Sequence, residues 1–380
     1  MISKIELEMF KCFEVLKLPV TPLTLLSGMN ASGKSTVLQA LVLLHQTILD
    51  HEWSIRLHLD GSEIQLGTIG DVVDKVNGRR EFSISIVDDA CSAKWEFSFD
   101  DDKQGMSAGI RSVTTNGSTI KLPQKLRYLF PDPPSTTEDL ANRLRRLTYL
   151  TAERLGPRDT YSLQDPSVTQ VVGSKGENTV GLLYQRRDQA VIPKLVIESE
   201  TPKLLSQVQA RMQSFFPDAA LDVQKVPQTN SVVLGIRTSK ATDFHRPVNV
   251  GFGLTQVLPI IVGALTAKEG DLFLVENPEV HLHPAGQAQM GQFLVEIAAA
   301  GVQVLVESHS DHLLNGIRRA VKGGRLKSAD VALHFFKPRT EGGDQVVTPQ
   351  MNDSGKIDYW PAGFFDQFDK DLNYFAGWGD

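Results

Sequence analysis

Cysteine is almost absent: Cys12 and Cys91 are the only two in 380 residues. Two thiols cannot build a disulfide framework or a cysteine zinc cluster, and such scarcity suits a reducing compartment. Long apolar runs are missing as well. The longest, around Val257 to Ala267, contains Pro259 and is too short to span a bilayer. Lys4, Glu6, Glu8, Lys11, Glu14 and Lys17 leave no apolar leader segment in the first thirty residues. The expectation is a soluble, cytoplasmic protein with no membrane partner. Charge of one sign does not dominate either. Lys and Arg total 39 against 45 Asp and Glu, a net charge of -6, so DNA binding would need a local basic face. Heptad runs, repeats and low-complexity tracts are missing, and hydrophobic (41%), charged (22%) and aromatic (7%) contents match an ordinary globular chain. The length fits one large domain or two intimate ones.

What is present changes along the chain. Ile2, Ile5, Leu7 and Phe10 alternate with polar residues as a strand does. Leu23 to Leu26 is a short buried-strand run, followed at once by a glycine loop and then by Val37 to Leu49, apolar at helical spacing. Residues 81–87 and 94–99 alternate with period two, bounded by Asp88-Asp89 and by Asp100 to Asp102 as turns, which predicts an antiparallel region. An irregular stretch follows at Pro131, Pro133 and Pro134. Helices are then predicted over 138–146, 177–187 and 202–216, and a strand over 231–237. The last third alternates: strands over 271–275, 303–306 and 331–336, helices over 285–300 and 311–321. Alternation of this kind means βαβ units and a parallel sheet.

Three segments carry chemistry. Gly28-x-x-x-x-Gly33-Lys34-Ser35 is a complete phosphate-binding loop, placed between a predicted strand and helix. Its glycines let backbone N–H groups of Asn30, Ala31, Ser32 and Gly33 wrap phosphates, Lys34 reaches the terminal ones, Ser35 ligates Mg²⁺, and Thr36 opens the helix whose positive end faces the anion. Leu272 to Val275 is a central strand that ends in Glu276-Asn277-Pro278-Glu279, acids where ligands bind in open α/β sheets. Val304 to Val306 is a third strand, ending in Glu307-Ser308-His309-Ser310. Ser308, His309 and Asp311 are too close along one strand end to face each other as a hydrolytic triad. His281-x-His283 and His309-x-x-His312 have zinc-like spacing but no thiols beside them.

Taken in order, the phosphate loop, Gly251 to Pro259 (GFGLTQVLP), Phe273 to Pro284 (FLVENPEVHLHP) and Leu305 to Leu314 (LVESHSDHLL) resemble ABC-type ATPases of the RecF, SMC and OLD-like branch, often described as AAA ATPases. The opening IELEMFKCFEVLKL is similar to that branch's start. Tyr149 to Tyr161, Gly173 to Thr179 and Tyr359 to Gln367 resemble a small subfamily of stand-alone ATPases.

The resemblance implies an α/β, ABC-ATPase-like P-loop fold with a mixed, antiparallel β region, a central parallel sheet, and inserted helical and β segments. The implied division is an ATPase core over 1–50 and 240–380, an antiparallel part of the head over 51–125, and an inserted subdomain over 126–239. It also implies roles. Glu276 takes the acidic position that orients Mg²⁺, and Asn277 falls where the catalytic Glu usually stands, with Glu276 or Glu279 as substitutes. His309 matches the switch histidine that senses the γ-phosphate. Gly251, Gly253 and Gln256 lie in a signature-like segment given to a partner's nucleotide, although the usual Ser-Gly-Gly is absent. Val280 to His283 match the D-loop, and Gln65 is a candidate metal-side glutamine. Lys11 and Phe13 are candidates for adenine contacts. The cofactors implied are ATP and Mg²⁺. The partners implied are a second copy, in a homodimer or higher even oligomer, and a separately encoded effector, nuclease above all, with DNA as a further candidate. The function implied is an ATPase with slow turnover in anti-phage defence or DNA repair; the alternative is an ATP-dependent DNA clamp or scaffold with negligible hydrolysis. Only about seventy residues follow His309, too few for an attached nuclease domain, and Asp369-x-Asp371 lies in an Asp-rich tail. Basic clusters at Arg143, Arg145 and Arg146, at Arg186 and Arg187, and from Arg318 to Lys327 read as solvated faces before DNA grooves.

Overall fold

The computed structural model describes residues 1–76, 80–99, 104–131, 136–165, 171–339, 343–365 and 367–376, and the chain divides into two units. The turn expected at Asp100 to Asp102 and the prolines Pro133 and Pro134 lie outside the described residues. Among the described residues no helix is long and apolar enough to cross a membrane.

The first unit comprises Met1–Arg145, Glu307–Asp311 and Val321–Asp380. It opens with β1 (Ile2–Phe10), β2 (Phe13–Pro19), β3 (Leu23–Gly28) and α1 (Lys34–Asp50). Then come β4 (Arg56–His58), the single turn α2 (Ile69–Val72), β5 (Glu81–Asp88), β6 (Ser92–Ser98), β7 (Ser107–Thr115), β8 (Ser118–Lys121) and α3 (Glu138–Arg145). An antiparallel sheet runs β2-β1-β5-β6-β7-β4, with β8 beside β7. Its apolar residues alternate with polar ones, as the sequence pattern of β5 and β6 requires. Ile5, Leu7, Phe10, Ile84, Trp95 and Phe97 are fully buried. Phe82 stacks on Phe97 at 4.8 Å, and the Trp95 indole donates to Leu129 O at 2.8 Å, so the one polar atom of that ring is satisfied.

The second unit comprises Arg146–Val306 and His312–Ala320. Its elements are β9 (Thr148–Leu150), β10 (Tyr161–Ser162), α4 (Thr179–Arg186), α5 (Leu204–Phe215), β11 (Ala220–Lys225), β12 (Ser231–Arg237), α6 (Phe252–Thr266), β13 (Leu272–Glu276), α7 (Pro284–Ala299), β14 (Gln303–Glu307) and α8 (Asp311–Lys322); the last residue of β14 and the ends of α8 count with the first unit. Strand β13 pairs parallel with β9, Phe273 beside Thr148 and Val275 beside Leu150. A second small sheet runs β10-β12-β11. The long apolar stretch of the sequence is α6, buried from Leu254 to Leu265 with Pro259 inside it. Helices α7 and α8 approach so closely that a Cβ at Gly291 would overlap Leu313 O and one at Gly316 would overlap Ala288 O, which is why glycine stands at both.

The first unit closes with β15 (Val331–Phe336), β16 (Val346–Val347) and α9 (Gln367–Phe375). Strand β15 pairs parallel with β3, Val331 beside Leu23 through Phe336 beside Gly28, and antiparallel with β16. Parallel pairs thus flank the phosphate loop and the acidic strand end, as the βαβ alternation predicts. Asp371 lies on α9; the side chain of Asp369 is outside the described residues.

Two histidines are buried in the first unit. His45 on α1 bonds Leu144 O at 2.6 Å, and His334 on β15 bonds Pro19 O at 2.8 Å. Burial pushes each pKa down from 6.5 to about 4, against the opposing pull of those carbonyls. Both rings are neutral in the fold, while the unfolded chain takes up their protons near pH 6.5. Their stabilising effect is therefore complete above that pH and lost as pH falls toward about 4. The slope is about 1.4 kcal/mol per pH unit per histidine. Urea unfolding at pH 7 and pH 5 should show a loss of about 4 kcal/mol from the pair. His45→Gln should halve that slope whatever it does to the baseline; an unchanged slope counts against this account.

Candidate nucleotide site

The glycine loop is built by close backbone approach. At Gly28, where β3 ends, φ is 137° and a Cβ would overlap Phe336 O, so only glycine lets the two strands sit together. Met29 N then donates to Phe336 O at 3.2 Å. Ala31 (φ 59°) and Gly33 (φ 102°) turn the chain through left-handed conformations, and Ser32 Oγ donates to Met29 O at 2.6 Å across the bend. Met29, Asn30 and Ala31 are exposed at the tip, and Thr36 N closes the first turn of α1 onto Gly33 O. A Cβ at Gly33 would lie 2.5 Å from the Phe13 ring and 2.6 Å from Cys12 Sγ. Phe13 is thus buried packing beneath the loop, not a ring free to stack on a base. Lys11 (φ 54°) is tied to Gln39 at 2.6 Å.

Lys34 is 3% exposed. Its ammonium donates to Gly28 O at 3.2 Å and Met29 O at 2.7 Å, and lies 3.9 Å from Glu307 Oε1. Burial lowers the lysine's pKa, and the Glu307 charge opposes that shift. Ser35 Oγ donates to Glu307 Oε2 at 2.7 Å. The end of β14 reaches this place through Ser308 N, which donates to Leu26 O at 3.1 Å. Ser308 is fully buried, and His309 after it is exposed, with a pKa lowered by partial desolvation and by Lys34. A buried ammonium below a left-handed turn and a helix N-terminus is an arrangement that receives phosphate oxygens. The hydroxyl of Ser35 and the carboxylate of Glu307 are hard oxygen donors of the kind Mg²⁺ prefers.

The second unit brings the other predicted residues together at the end of β13. Glu276 receives Tyr149 OH on Oε1 at 2.8 Å and Ala152 N on Oε2 at 3.3 Å. Arg154, 6% exposed, reaches the same turn from below. Its Nη1 donates to Glu276 O at 2.9 Å and Thr151 O at 3.1 Å, and its Nη2 to Asn277 O at 2.8 Å. Burial lowers the Arg154 pKa to about 10, while the charges of Glu279 and Glu276 pull the other way. Asn277 sits at φ 43°, a conformation asparagine tolerates better than glutamate, and its Oδ1 is buried with no partner among the described residues. Glu279 is buried beside it in sequence. Gly251 caps α6; a Cβ at Gly253 would lie 2.9 Å from His281 O; Gln256 is buried and leans on the carbonyls of Arg154 and Leu155 at 3.4 Å. The signature-like and D-loop segments are therefore neighbours of the acidic turn. His283 caps α7, its Nδ1 accepting from Ala285 N.

Gln65 is in the first unit, exposed and bridged to Asp60. Several basic residues are already engaged: Arg143 with buried Asp88, Arg145 over Tyr128, Arg146 with Asp271, Arg187 with Asp188. Three residues escaped the sequence reading, namely Tyr149, Arg154 and Glu307. All stand inside motifs visible in the sequence, but only the fold shows what they touch.

A family model described as "AAA domain, putative AbiEii toxin, Type IV TA system" matches residues 23–315. The chain belongs to this AAA family. A second model, for a protein family of unknown function, matches residues 326–374. Two solved Smc heads are similar to this chain in fold. One is the Smc head bound to the C-winged helix domain of ScpA, with TM-score 0.54 and 13% identity over 92% of this chain and 98% of that one. The other is the Smc head domain with an extended coiled coil bound to the C-terminal domain of ScpA derived from Pyrococcus furiosus, with TM-score 0.53 and 12% identity over 99% of both chains. No curated protein matches. The AAA family and the Smc-head likeness together place the chain among ABC-type P-loop ATPases, the fold that the sequence motifs predict.

Arg154 fixes the acidic turn through three carbonyls, and Arg154→Met would leave them without a buried donor. Urea unfolding should show a loss of about 3 kcal/mol, with Arg154→Lys in between because an ammonium cannot reproduce the fork. A loss under about 0.5 kcal/mol would mean the carbonyls are satisfied in another way.

Proposed function

We propose that this ATPase binds ATP with Mg²⁺ at a dimer interface and, through slow turnover, licenses a separately encoded effector of nuclease type in anti-phage defence or DNA repair in the cytoplasm. The nucleotide half rests on one observation above the others: the Lys34 ammonium is buried at the foot of the loop, held by Gly28 O and Met29 O. In this reading Lys34 meets the β- and γ-phosphates and the amides of Asn30 to Thr36 wrap them. Mg²⁺ supplies neutralisation of the phosphate charge, held by Ser35 with an acidic group from a strand end. His309 faces the γ-phosphate, and Gly251, Gly253 and Gln256 serve the nucleotide of a second copy. Residues 1–50 and 240–380 act as the ATPase core, 51–125 as the antiparallel part of the head and 126–239 as an insertion. The effector half is supported by two likenesses. The family's description names a toxin and a type IV TA system, and both Smc heads are bound to a ScpA domain.

Asn277 favours a second reading, an ATP-dependent DNA clamp or scaffold with negligible hydrolysis. An amide takes no proton from an attacking water at neutral pH, and the φ of 43° suits asparagine over the usual glutamate.

Lys34→Ala should lose ATP binding and, with it, any ATP-promoted dimer. Titration calorimetry and light scattering with ATP and Mg²⁺ check both; a variant that binds ATP as the wild type does would refute the loop assignment. Asn277→Glu separates the two readings. If the missing carboxylate limits turnover, phosphate release should rise about ten-fold or more, at a cost in stability of about 1 kcal/mol for glutamate at positive φ. No rise, together with an inactive Glu279→Gln, would move the base to Glu279.

A further inference from the structure

The first unit carries a row of charges that the phosphate loop does not use. Trp53 lies between α1 and β4, Lys125, Arg127 and Tyr128 lie between β8 and α3, and Arg145 is the last residue of α3. The Lys125 ammonium stands 3.9 Å from the centre of the Trp53 ring. The Arg127 guanidinium is 5.7 Å from that ring and 5.3 Å from the Tyr128 ring, and the Arg145 guanidinium is 4.4 Å from Tyr128. Cation and ring therefore alternate through five side chains. Among the described residues Arg127 pairs with Glu52 at 2.9 Å, while Lys125 and Arg145 make no ion pair. A ring holds a cation in place without neutralising it, so both charges stay available to an anion. The backbone beneath is set in advance. Ser54 N donates to Leu126 O at 3.2 Å, and Tyr128 N to Glu52 O at 2.7 Å. Tyr128 and Leu129 take φ of 51° and 65°, an unfavourable conformation for two bulky residues in succession. It persists because Leu129 and Phe130 are fully buried and Leu129 O accepts from the buried Trp95 indole. A pedestal of this kind keeps the side chains above it in a fixed order, which lowers the cost of binding.

A chain of net charge -6 needs a local basic face to hold nucleic acid, and this row is such a face with two rings set among its charges. We propose that it binds single-stranded nucleic acid, with phosphates on Lys125 and Arg145 and a base on Trp53. Trp53 is 43% exposed. The lysine over it has a flexible stem, so its ammonium can move to a phosphate and leave the ring face to a base. A duplex keeps its base faces stacked on one another and offers the ring nothing to pair with. An acidic peptide would meet the cations and leave the ring unused. The surface lies within the first unit and rests on neither reading of the nucleotide loop.

Fluorescence anisotropy of a labelled oligothymidylate of about 16 nucleotides, added to the full chain without ATP, tests this. Binding should weaken with salt, log K falling against log salt with a slope of about -1.4 for two phosphate contacts. Trp53→Ala should weaken binding about ten-fold, and Trp53→Phe should restore most of it. Lys125→Gln combined with Arg145→Gln should flatten the salt slope nearly to zero. A duplex of the same length should bind about ten-fold more weakly and be indifferent to Trp53→Ala. Lys34→Ala should bind the oligonucleotide as the wild type does. The proposal is overturned if the wild type does not bind the oligonucleotide, if Trp53→Ala binds it equally well, or if the duplex binds as tightly. Equal binding of an oligoglutamate of the same length would make the face a dock for acidic protein segments. Loss of binding in Lys34→Ala would put the strand at the phosphate loop. Either result also overturns it. If Trp53→Ala does not fold, the double variant decides, and an unchanged salt slope counts against the assignment. No ATP is present, so each of these failures leaves the nucleotide reading as it stands.

Discussion

A lysine ammonium that water hardly reaches must be solvated by the protein around it. Lys34, 3% exposed, sets that demand in the first unit, and much of the local geometry answers it. Two carbonyls have to point inward, which requires Gly28 and Met29 to curl over the lysine. The curl needs left-handed backbone at Ala31 and Gly33, and it needs β3 to lie so near β15 that Gly28 can carry no side chain. An acid must also be near, and β14 supplies Glu307. None of these features is stable alone; a left-handed non-glycine residue and a buried carboxylate are each unfavourable. Together they hold one another in one loop.

The acidic turn of the second unit solves a related problem with a different tool. There the buried group is a guanidinium, and its planar fork satisfies three carbonyls at once, Thr151, Glu276 and Asn277. A lysine holds the loop as a point charge that can turn toward a ligand; an arginine holds the turn as a rigid brace. The first unit thus holds its loop with an adaptable group, and the second fixes the backbone of its turn in advance.

The elements that could be read from sequence were those with strong periodicity or a backbone-dependent motif. The strand–loop–helix at 23–50, the strands at 81–88, 92–98, 231–237 and 331–336, and the helices at 284–299 and 311–322 all lie close to their predicted bounds. Strand β9 escaped because three residues show no periodicity, and β2, β7 and β11 because mixed polar residues on their open faces blur the alternation. In the site, glycine spacing and strand-end acids were legible because their chemistry is backbone-bound. Arg154 was not, since nothing in TAERLGP tells a buried brace from a surface arginine. Glu307 stood in plain view before His309, and its contact with Ser35 spans 272 positions that only the folded sheet brings together.

The turn between β1 and β2 presses Cys12 and Phe13 against Gly33 from beneath, with a Cβ on that glycine denied any space. The outer strand of that hairpin, β2, is also an end strand of the antiparallel sheet among the described residues, and Val15 on it is 54% exposed. Hairpin and phosphate loop are mechanically in series. With no slack between them, a displacement of the hairpin turn has to be taken up at Gly33, so the hairpin's packing bears directly on the conformation of the phosphate loop.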